Sequence, residues 1–110
     1  MKTYQEKAIT FAIYKTHDYP FFALGGEVGE LLDKVAKVVR GSGKSFAEAF
    51  PTMSVAEREG IKAELGDVLW TLTACCHELG ITLEEIAEMN IQKLTDRKAR
   101  GVIHGNGDNR

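Results

Sequence analysis

Two short stretches of the sequence set paired acids around a glycine: Glu27-Val28-Gly29-Glu30-Leu31-Leu32 and Glu64-Leu65-Gly66-Asp67-Val68-Leu69. Both read acid, apolar, Gly, acid, apolar, Leu. On a helix that turns about 100° per residue, the second acid lies near 300° from the first and the apolar residues near 40°, 100° and 140°. Each pair of acids therefore borders a buried stripe. If the two helices pack through those stripes, four carboxyl groups converge at the seam. Desolvating charge is expensive and like charges raise one another's pKa, so such a cluster calls for a positive partner. A hard divalent cation suits it, because Mg²⁺ takes oxygen ligands and completes its shell with waters and phosphates. No Glu-x-x-His supplies the imidazoles of a di-iron carboxylate bundle. A lone Glu-x-x-Glu is usually a solvated face. Two matched copies are harder to explain that way, because Gly29 and Gly66 each cost roughly 1 kcal/mol relative to alanine. Close helix packing or room for a ligand would account for them. The pattern alone leaves a metal site and two solvated faces both open.

A second cluster, Asn90, Lys93 and Arg97, has spacings of three and four and so shares one helix face. Lysine and arginine offer N–H donors and charge to phosphate oxygens, and asparagine a neutral polar contact. The plainer alternative is an exposed face whose cations, extended by Lys98 and Arg100, complement the helix macrodipole. Lys34 follows Glu30 by four residues, which suits an exposed ion pair or a phosphate contact. Trp70 falls outside the main apolar stripe and serves either helix packing or base stacking. His17, His77 and His104 share no ligand spacing. The adjacent Cys75 and Cys76, without any C-x-x-C, read as buried reduced thiols.

The elements that must carry these residues are helices. Apolar residues from Tyr4 to Ile13 predict a first helix over Thr3–His17, closed by Pro20. Leu24, Val28, Leu31, Leu32, Val35, Val38 and Val39 predict a second over about Phe22–Val39, stopped by Arg40-Gly41. Ser54 with Glu57, and Thr82 with Glu85, have capping-box spacing and open helices over Val55–Leu79 and Leu83–Ala99, separated by Gly80. Between Gly41 and Pro51 lies the one long connection, either a flap or a corner packed through Phe46, Ala47 and Phe50. No strand pattern competes. Residues 1–100 form a single all-helical domain, and 101–110, with three glycines and no apolar period, a flexible tail.

Composition narrows the classes. A chain of 110 residues holds one domain. A 44% apolar and 27% charged composition is that of a folded soluble protein. The net charge of −2 gives no basic excess for a polymeric nucleic acid. Neither a signal peptide nor a membrane-length apolar run is present, so the expected location is cytoplasmic.

Taken in order, Glu27-x-x-Glu30, Glu64-x-x-Asp67 and Asn90-x-x-Lys93-Leu94-x-x-Arg97 resemble the MazG-type all-α nucleoside triphosphate pyrophosphohydrolases, over about residues 22 to 101. Many family members carry a further glutamate just before the first motif acid, where this chain has Gly26. The resemblance implies a four-helix bundle completed by dimerisation, as a homodimer or homotetramer. It implies Mg²⁺ held by Glu27, Glu30, Glu64 and Asp67, which form the catalytic set. It implies hydrolysis of a nucleoside or deoxynucleoside triphosphate to monophosphate and pyrophosphate, with Asn90, Lys93 and Arg97 binding the substrate. The tail from Gly101 is a candidate lid. The alternative on the same residues is a nucleotide-binding or regulatory helical dimer without turnover.

Overall fold

The computed structural model describes residues 3–101, which form five α-helices and, among the described residues, no strand. The first helix, α1 (Tyr4–Ile9), starts where the Thr3 hydroxyl accepts the Glu6 N–H. It ends well short of the expected His17. The Thr10 hydroxyl donates to the Lys7 carbonyl at 2.6 Å, and the next N–H groups turn back only three residues, from Phe11 to Ala8 and from Ala12 to Ile9. Beyond that point the chain follows tertiary anchors. Tyr14 Oη donates to Glu78 Oε2 at 2.6 Å, and His17 Nδ1 pairs with Glu78 Oε1.

The second helix, α2 (Tyr19–Ser42), begins earlier than expected, and Pro20 opens it rather than closing α1. In the first turn a proline's missing N–H costs nothing and its fixed φ suits the helix. The helix runs past Arg40 and Gly41 and stops at Gly43, whose φ of 65° is the left-handed conformation glycine adopts freely. The following connection is a packed corner: α3 (Phe46–Ala49) is capped by Ser45, runs into a 3₁₀ turn over Phe50–Thr52, and sits against α2. Its Phe46 and Phe50 rings meet edge-on at 4.4 Å, and Ala49 is buried.

Both expected capping boxes are present. Ser54 and Glu57 open α4 (Val55–Glu78), and Thr82 and Glu85 open α5 (Leu83–Arg100). Gly80 and Gly101, at φ 68° and 74°, turn the chain after each. The principal packing is α2 against α4, antiparallel, with Lys34 beside Gly60 and Glu64 at one end and the chain just before α2 beside Glu78 at the other. Trp70 packs on α1, donating from Nε1 to the Ala8 carbonyl at 2.9 Å. Toward its C-terminus α4 is buried at Thr71, Thr73, Ala74, Cys75 and Cys76. Both threonine hydroxyls donate to carbonyls four residues back, so they enter the core satisfied. The cysteines are free and buried, and burial pushes both thiols above their ordinary pKa.

Gln5 of α1 fastens the start of α5, donating to the Ile81 carbonyl at 3.0 Å and accepting the Leu83 N–H at 2.8 Å. Past that point α5 does not pack along α2 or α4, and its Met89 and Ile91 are exposed. The radius of gyration, 17.3 Å, exceeds the about 13 Å of a compact domain of this size. Among the described residues no helix is long and apolar enough to cross a membrane. Val102 to Arg110, which carry His104 and nearly all of the expected tail, lie outside the described residues.

Candidate functional site

The antiparallel pairing of α2 and α4 brings their two acid pairs together. Glu27, Glu30 and Glu64 each offer a carboxylate oxygen, and those atoms lie within 4.8 Å of one another. Glu64 is buried, Glu27 half-buried and Glu30 exposed. Asp67 is exposed and stands outside that compact trio, but its charge reaches Glu27. Burial holds the Glu27 carboxyl above the ordinary glutamate range, and the charges of Glu30, Asp67 and Glu64 push it further. A hydrogen bond between the Glu27 and Glu30 side chains acts in the same direction.

Two oxygens in this cluster, Glu27 Oε2 and Glu64 Oε2, are buried without a hydrogen-bond partner. Orphaned acceptors of this kind are rare because desolvation then goes uncompensated. An all-oxygen donor set with unused buried lone pairs fits a hard cation such as Mg²⁺ or Mn²⁺ and offers nothing to a soft one. A Cβ built on Gly29 or Gly66 meets no atom within 4 Å, so close packing within the chain does not explain these glycines.

Lys34 departs from the expected pairing with Glu30. Its Nζ crosses the seam to Glu64 Oε1 at 2.9 Å and reaches the Gly60 carbonyl at 3.4 Å. Asn90, Lys93 and Arg97 are all on α5, exposed, half-buried and buried respectively. Their helix does not pack along either member of the acid seam. The Tyr14–Glu78–His17 cluster was not legible in the sequence: an acid at a helix end and a tyrosine 64 residues away share no spacing signal.

The family model described as the MazG nucleotide pyrophosphohydrolase domain matches residues 15–102. The chain belongs to the MazG family. It is also similar to the Gene 37 protein of Mycobacterium phage L5, 37% identical over 92 residues that make up 84% of this chain and 75% of that protein. No solved structure matches. The MazG match spans α2 to α5 and omits α1, so the acid seam and the basic face of α5 both fall within the shared region. The all-helical architecture is that of an all-α MazG-like domain, and the matched family is one of nucleotide pyrophosphohydrolases.

Proposed function

We propose that this chain is a Mg²⁺-dependent nucleoside triphosphate pyrophosphohydrolase, cleaving a nucleoside or deoxynucleoside triphosphate to the monophosphate and pyrophosphate. The observation that carries this is the pair of partnerless buried oxygens, Glu27 Oε2 and Glu64 Oε2, inside a three-carboxylate cluster of a MazG domain. Glu27, Glu30, Glu64 and Asp67 would hold the ion. When bound, Mg²⁺ supplies neutralisation of triphosphate oxygens and acidification of a water. On the protein's side, the carboxylates around Glu27 hold and orient the nucleophilic water and take up its proton. Lys93 and Arg97 would donate N–H bonds to the oxygens of the departing pyrophosphate, and Asn90 would orient the substrate, where assembly of two copies brings an α5 beside the seam.

The protein works as a homodimer or homotetramer. Phe22, Leu32, Leu65, Met89 and Ile91, on α2, α4 and α5, are between 52% and 77% exposed, apolar surface that a second copy would cover. Light scattering on the purified protein is expected to give at least twice the 12.1 kDa chain mass. For the activity, pyrophosphate is followed across a panel of ribo- and deoxyribonucleoside triphosphates with Mg²⁺. Release from at least one, lost in folded Glu30→Ala and Asp67→Ala variants, supports the enzyme. Metal-dependent nucleotide binding without product across the panel would instead favour a nucleotide-binding regulatory dimer.

A further inference from the structure

Lys34 is the cation already inside the acid cluster. Its side chain is 42% exposed, whereas that of Glu64 is 11% exposed, so a solvent-borne arm ends on a buried carboxylate. One Glu64 oxygen is occupied by the ammonium, and the other is buried without a partner. The ammonium offsets charge in this cluster but reaches only one of the two Glu64 oxygens. Glu64 is also one of three acids whose oxygens lie within 4.8 Å, so an ion seated among them would share Glu64 with Lys34.

We propose that Lys34 is the resident counter-ion of the acid cluster, which an entering divalent cation displaces from Glu64 and which then becomes a contact for a substrate phosphate. This rests on the Mg²⁺ reading above. Two cations on one half-desolvated carboxylate repel, and the lysine is the one free to leave. Its second anchor, the Gly60 carbonyl, is a long contact at 3.4 Å, and its flexible stem opens to solvent. Displacement has a cost when metal binds alone. A nucleotide's phosphate compensates by taking up the freed ammonium, so metal and nucleotide bind with positive coupling, each tightening the other.

The test is titration calorimetry with Mn²⁺ alone, at fixed ionic strength, on full-length wild type, Lys34→Met and Lys34→Arg. Urea unfolding verifies that each is folded. Lys34→Met is expected to bind Mn²⁺ about tenfold or more tightly than wild type, because the competing charge is gone. Lys34→Arg, which keeps that charge, stays within about threefold of wild type. A non-hydrolysable triphosphate analogue is expected to tighten Mn²⁺ binding more in wild type than in Lys34→Met. Equal or weaker Mn²⁺ binding by a folded Lys34→Met overturns the counter-ion proposal and leaves the metal reading standing. Absence of Mn²⁺ binding in all three proteins overturns the metal reading and this proposal with it.

Discussion

The two halves of α4 face the same neighbour, α2, and are built on opposite terms. Toward its C-terminus, Thr71, Thr73, Ala74, Cys75 and Cys76 are small, buried and satisfied, with hydroxyls returned to the helix backbone and Glu78 accepting from Tyr14 and pairing with His17. Ahead of that stretch, Glu64 meets Glu27 and Glu30 in a cluster that repels itself, with Asp67 outside it but adding its charge, and two of its oxygens are buried without partners. One helix thus carries the core at one end and the candidate site at the other. The difference teaches where stability and function have been kept apart: like-charged side chains can be assembled at the acid end because the packed end holds the pair of helices together.

Substitutions at the two ends should therefore move activity and stability in different ways. The largest effect is expected from Glu30→Ala and Asp67→Ala, which should lower pyrophosphate release by about a hundredfold or more while leaving the thermal midpoint unchanged or raised. A parallel loss of fold would break the separation. Ala74→Leu, overpacking a residue 1% exposed, should cost about 1–3 kcal/mol in urea unfolding while activity per folded molecule persists. Glu27→Gln should raise the stability of the metal-free protein, by under about 1 kcal/mol because the site is partly open to solvent. A destabilised Glu27→Gln would contradict the repulsion inferred at that end.

The smallest effect concerns the satisfied end and pH. Hydrogen bonds from Tyr14 and His17 hold Glu78 below its ordinary value of 4.5. A depressed carboxyl contributes stability that is present above the unfolded pKa and lost as pH falls through the folded one. Denaturation of wild type and Glu78→Gln should therefore differ near neutrality, and the difference should shrink as pH falls below 4.5 and through the lowered folded pKa. Tyr14 has the opposite sense. Burial, then its bond to Glu78, push it up to about 12, so its contribution should fade only between pH 10 and 12.

Much of this was legible in the sequence wherever local chemistry decides it. The Ser54–Glu57 and Thr82–Glu85 boxes fixed two helix starts, because a cap is written within four residues. The meeting of Glu27, Glu30 and Glu64 followed from helical phase, while Asp67, expected with them, stands outside the trio. What escaped was set by distant partners. The first helix stops at Ile9 because the following segment answers to Glu78 and not to its own apolar period. Lys34 looked like a partner for Glu30, but the nearness of Glu64 arises only once α2 and α4 pack. The place of α5 beside rather than along the seam had no local signal, since Met89 and Ile91 read the same whether the chain or a second copy covers them.

The central claim is that the acid end of the α2–α4 seam holds a metal for phosphoanhydride cleavage. Its most direct test is a pyrophosphate-release assay over a nucleoside triphosphate panel, run with Mg²⁺, with excess chelator, and with Mg²⁺ restored. The account predicts release from at least one triphosphate with Mg²⁺, none with chelator, and recovery when the ion returns. Turnover that survives chelation, or no turnover from any triphosphate with Mg²⁺ present, would contradict it.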